Sequence, residues 1–122
     1  MLTVRAVSPI ALPSVNMKAI VIDPGERSVS VIDTGATLEE IYRLVGEDSI
    51  DTCRPFPGHR FEVAFVGDHS ALQFPPLPRF KVSEFGHWLY GRTLVIGADT
   101  RGETRSTTLT PEQVYEWIQF DA

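Results

Sequence analysis

From residue 17 onward the apolar positions fall into short segments, most of them with the period of strands. Lys18 to Asp23 (KAIVID) holds Ile20, Val21 and Ile22 in one unbroken run, the pattern of a strand covered on both faces. Pro24-Gly25-Glu26-Arg27 predicts a turn, because proline presets φ and glycine supplies the tight reversal. In Ser28 to Asp33 (SVSVID), Val29 and Val31 share one face and Ser28 and Ser30 the other, so this strand is half-exposed and pairs with the first as a hairpin. The period then changes. Leu38, Ile41, Tyr42 and Val45 lie on one helical face, Thr37 and Glu40 form a capping box, and Gly46 ends the helix.

Ser49 to Arg54 predicts a short strand, broken by Pro55, Pro57 and Gly58. Arg60 to Val66 predicts another, with Phe61, Val63 and Phe65 alternating against Glu62 and Ala64. Gly67-Asp68-His69-Ser70 is a turn, and Ala71 to Phe74 a possible return strand. Pro75-Pro76-Leu77-Pro78 is extended, because proline suits neither a helix interior nor a sheet interior. It matches a minimal Pro-rich ligand for an aromatic groove, but one such match in a folded domain is usually just a rigid connection. Phe80 to Tyr90 reads as a loop with one helical turn. Thr93 to Ala98 (TLVIGA) is a central strand, Asp99 to Gly102 a hairpin turn, and Glu103 to Thr108, polar on both faces, an exposed edge strand. Thr110 caps a last helix to Phe120, with Pro111 at its first position and Gln113 closing the box. The order predicts an α+β fold: a mainly antiparallel sheet of five or six strands with two helices packed on one face.

Composition narrows the function classes. At 122 residues the chain suits one domain, able to bury about two-thirds of its unfolded surface. Residues 1–16 read as an N-terminal extension and 17–122 as the domain, with Met17 as an alternative natural start. Pro9 and Pro13 interrupt any signal-peptide core, and no apolar run approaches the roughly 20 residues of a spanning helix. The expectation is a cytoplasmic protein with no membrane partner. The net charge of −5 argues against a nucleic-acid partner, since phosphate contact needs clustered Lys and Arg. Cys53 is the single cysteine, so no internal disulfide forms. Beside Arg54 its thiolate could be favoured, or it is a small half-buried side chain in a strand.

Chemistry-bearing sets are sparse. His59, His69 and His87 lack metal-ligand spacing, and no metal or cofactor is expected. Asp23, Asp33 and Asp99 stand at strand ends, where turn chemistry accounts for them. Ser70 with His69, or Cys53 with His59, lacks an orienting group and a strained elbow. No catalytic residue is assigned, and the balance leans away from an enzyme. The binding candidates are Arg54, His59, Arg60, Arg79 and Lys81, interleaved with Phe56, Phe74, Phe80 and Trp88. Aromatics among basic residues can stack bases or seat an anionic partner, although a small domain also needs them for its core.

MKAIVIDPGERSVSVID, the helix ending in LVG, VAFVGDHSAL and GRTLVIGADTRGE, in that order, resemble the domain-of-unknown-function family numbered 3846, over roughly Met17 to Ile118. The chain departs from that pattern at FPPLPRF, where members carry a small polar segment with Asn and Arg. The resemblance implies no activity. It implies a setting among accessory proteins of phages, plasmids and their bacterial hosts. The leading expectation is therefore a non-enzymatic accessory protein that binds a host protein, such as part of a defence system. The alternatives are a small-ligand or nucleic-acid binding domain using the Arg54–Arg60 region, and, third, a small hydrolase. A homodimer through the edge strand 103–108 is a further expectation.

Overall fold

In the computed structural model, residues 16–35, 37–46, 49–56, 58–67 and 77–121 are described. The first hairpin forms as its pattern requires. β1 (Met17–Asp23) pairs antiparallel with β2 (Ser28–Thr34), and Asp23 Oδ1 accepts bonds from the Gly25 and Glu26 amides at 3.0 and 3.2 Å to set the turn. α1 (Leu38–Val45) follows. Thr37 Oγ1 caps the Glu40 amide at 3.2 Å, and Gly46 closes the helix at φ 82°, a conformation that suits glycine.

The principal sheet runs β2-β1-β7-β4-β3, where β3 is Ile50–Cys53, β4 is Glu62–Gly67 and β7 is Thr93–Ala98; β8 (Thr104–Arg105) also pairs with β7. Every strand pairing among the described residues is antiparallel. β7 is buried along its whole length, as its apolar run predicts. A second sheet, β6-β5-β9, comprises β5 (Arg79–Val82), β6 (Trp88–Tyr90) and β9 (Ile118–Phe120).

The α+β class, the antiparallel sheet and the presence and caps of two helices stand as read from the pattern. The helices, however, take opposite faces. Ile41 and Val45 of α1 pack on Ala19, Leu94 and Ile96, whereas Val114 of α2 (Pro111–Trp117) packs with Ile20, Ile22 and Val95 and with Phe80 and Val82 of the small sheet. Alternation along β1 and β7 supplies apolar side chains to both faces, so each face needs its own cover.

Three segments differ from expectation. Phe80 to Tyr90 forms a hairpin around a single helix-like turn, in which Gly86 N–H reaches Val82 O at 3.1 Å. Phe80 and Val82 alternate into the core, a period that was hidden by the aromatic content of the segment. The last helix ends at Trp117, and Ile118–Phe120 turn into a strand on β5. Two rows of partners compete for that stretch, and the edge of β5 wins it.

In the third segment, Glu62 is 3% exposed although its pattern places it on a polar face. Its carboxylate accepts from the Thr107 hydroxyl and, at 3.1 Å each, from the amide and hydroxyl of Thr108. Of Glu103 to Thr108, only Thr104–Arg105 is strand. Beyond it Ser106 Oγ accepts from the Lys18 amide at 2.9 Å and Thr107 N–H donates to Lys18 O at 2.9 Å. The expected turn and strand within 68–74, with His69 and Ser70, and the prolines at 75 and 76 lie outside the described residues.

Candidate functional site

The five basic candidates separate into neighbouring groups on different elements. Arg54 and Arg60 come together on the segment between β3 and β4. Arg54 Nη1 donates to the backbone oxygen of Arg60, so its guanidinium is spent on holding the loop. Arg60 lies with its Cζ 4.9 Å from the ring centroid of Phe61, and Phe61 is 39% exposed. These residues and the Asp99–Gly102 turn line an open cleft of about 470 Å³. Asp99 is committed to that turn, accepting from the Arg101 and Glu103 amides at 2.9 and 3.0 Å.

Arg79 and Lys81 stand on the outer face of the small sheet, opposite Tyr90 and Trp88 in register. Alternation in β5 sends Phe80 and Val82 inward and these two cations outward. Arg79 lies 4.1 Å and Lys81 5.0 Å from the Trp88 ring centroid. Arg79 also pairs with Asp121 at 2.7 Å and donates to the Tyr90 hydroxyl at 3.2 Å. The bond to Asp121, then that to Tyr90, holds its guanidinium still more firmly protonated than usual. Among the described residues no hydrogen bond or ion pair joins this group to Arg54 and Arg60.

His59 occupies a third place. Its ring is 5.1 Å from that of Trp117, which in turn lies 5.8 Å from Phe56, all tilted rather than stacked. The three rings and Val82 wall a cavity of about 300 Å³, rimmed by Ser83, Glu84 and Glu116. The Ser83 amide and hydroxyl both donate to Trp117 O, at 2.8 and 3.1 Å, which ties the β5 turn to the end of α2. The sequence signal for this cavity is faint, because its residues come from three distant segments.

Cys53 is half-buried. Burial pushes its thiol up, and the negative charge of Asp51 pushes it further, so the adjacent Arg54 does not favour the thiolate. Asp33 is ion-paired with Lys18 at 2.7 Å. Among the described residues no group of three or more His, Cys, Asp or Glu gathers where it could hold a metal ion, and no helix is long and apolar enough to cross a membrane.

No curated protein and no solved structure matches the chain. The model of one family does match, over residues 17–120, which takes in both sheets and both helices. By that match the chain belongs to the family described as Domain of unknown function (DUF3846).

Proposed function

We propose that the protein is a non-enzymatic accessory protein of a mobile element, and that it acts by binding a host protein at the Arg54–Arg60 cleft. The observation that carries this reading is the pair formed by Arg60 and the exposed ring of Phe61. Arginine and aromatic side chains are the types that most often anchor protein interfaces. Here they sit together on a loop held by Arg54, so little side-chain freedom is lost on docking. The open form of the cleft suits a protruding partner surface better than a small ligand, which needs enclosure over most of its area. The complementary partner presents a carboxylate beside an apolar side chain. A polyanion is a poorer match, because the whole chain carries a net −5. Cytoplasmic function and engagement of a host defence component belong to the same proposal.

The test is capture from a bacterial host lysate, identified by mass spectrometry, with the wild type and the Arg54→Glu/Arg60→Glu variant side by side. A specific partner should be lost or strongly depleted with the variant, and added salt should weaken the wild-type complex. Undiminished capture of the same partner by a variant of unchanged circular dichroism refutes the assignment of this cleft.

A further inference from the structure

The cavity beside His59 has a chemistry of its own, separate from the Arg60–Phe61 cleft. Its walls are aromatic and apolar, from Phe56, Trp117, His59 and Val82. Among the described residues no lysine or arginine lines it. Beyond its rings, the polar side chains around it are hydrogen-bond acceptors. The carboxylates of Glu84 and Glu116 are exposed and form no ion pair among the described residues. The Ser83 hydroxyl already gives its proton to Trp117 O and so faces outward with lone pairs. The His59 and Trp117 rings bring N–H groups of their own, but the two carboxylates set a negative rim over an aromatic floor, and both features favour a cationic donor. An alkylammonium fits: its N–H groups donate and accept nothing, its charge is attracted by indole and phenyl faces, and its methylenes bury against apolar walls.

We infer that this cavity binds a small free aliphatic amine in its ammonium form. The ammonium sits between Glu84 and Glu116, and the chain lies along Trp117 and Phe56. A volume of about 300 Å³ holds a molecule of a few carbons, at the lower end of the range for ligand pockets. The Ser83–Trp117 bonds keep the two carboxylate-bearing segments together before any ligand arrives. Such preorganisation lowers the ordering cost of binding.

The experiment is isothermal titration calorimetry of the full chain at neutral pH and low salt with 1,4-diaminobutane. The neutral isostere 1,4-butanediol and a capped lysine peptide serve as comparisons. Saturable one-site binding of the diamine, with no heat from the diol, supports the inference. The Glu84→Gln/Glu116→Gln variant should then bind at least about tenfold more weakly, since each charge-assisted bond is lost. Glu26→Gln/Glu39→Gln, which removes exposed carboxylates elsewhere, should bind as the wild type does. Three results overturn the inference: no saturable binding, equal weakening by both double variants, or a clear preference for the lysine peptide over the free diamine. Because Glu84 and Glu116 are surface residues, the variant folds, and its circular dichroism verifies this.

Discussion

Replacing Glu62 with Ala should unfasten the segment 106–109 from the sheet. Glu62 is buried at the start of β4, and its carboxylate gathers the Thr107 hydroxyl with the Thr108 amide and hydroxyl. Bonds to a charged acceptor contribute about 1.5–3 kcal/mol each, though they do not add. Thr108 is exposed and Thr107 partly so, and both hydroxyls recover water when the carboxylate goes, which leaves the amide and the vacated volume as the main losses. The net cost works out at about 2–4 kcal/mol, from one orphaned donor and one truncated side chain. Against a total stability of about 5–15 kcal/mol this is large, and it lowers the melting midpoint by about 10 °C. Urea titration followed by the fluorescence of Trp88 and Trp117 measures it directly. Glu62→Gln keeps one acceptor oxygen but aims an amide N–H at donors, and should fall between. In a double-mutant cycle with Thr108→Val, a coupling of about 1 kcal/mol is expected. If Glu62→Ala unfolds at the wild-type urea midpoint, the carboxylate does not anchor the segment and the reasoning fails.

Two further outcomes follow from the same geometry. Gly97→Ala should destabilise by about 1–3 kcal/mol in thermal melts, because its new Cβ would stand 2.8 Å from Ser106 O and 3.2 Å from Arg105 O, backbone atoms that cannot yield without moving β8. Stability should also decline on acidification in a way that Glu40→Gln lessens. The Thr34 hydroxyl, then the Gly35 amide at 2.8 Å, hold the Glu40 carboxyl below its usual range. A depressed folded pKa contributes stability above the unfolded value, lost as pH falls through the folded one, so wild type and variant should converge at the acid end of a series of melts.

How much was legible varies with how local the determining interaction is. The bounds of α1 could be read because Thr37 and Gly46 flank the helix directly, although Glu40, read as closing a capping box, turns its carboxylate back to the Thr34 hydroxyl and the Gly35 amide. The first hairpin and β7 followed from unbroken or alternating apolar runs. The end of α2 could not be read, since Trp117 to Phe120 continue a helical pattern and only the edge of β5, distant in sequence, diverts them. Glu62 was misplaced for a related reason. A charged residue marks a solvent face unless donors arrive from elsewhere, and those of Thr107 and Thr108 lie 45 and 46 residues on. The cavity at His59 was invisible because Phe56, Ser83 and Glu116 meet only in the folded chain.

The basic candidates were legible as residues but not as charges. Counting cations along the chain treats Arg54, Arg60, Arg79 and Lys81 alike. In the fold, Arg79 is answered by Asp121 and Arg54 is turned to a backbone oxygen, so each does local structural work. Arg60 and Lys81 are held instead by the faces of Phe61 and Trp88. The difference matters for recognition. A carboxylate cancels the field of the cation it holds, whereas an aromatic ring fixes the position of a cation and leaves its charge in place. Among the described residues neither Arg60 nor Lys81 has an ion-pair partner. Arg60 and Lys81 therefore keep their field in place, each already oriented and each offered with an aromatic surface beside it.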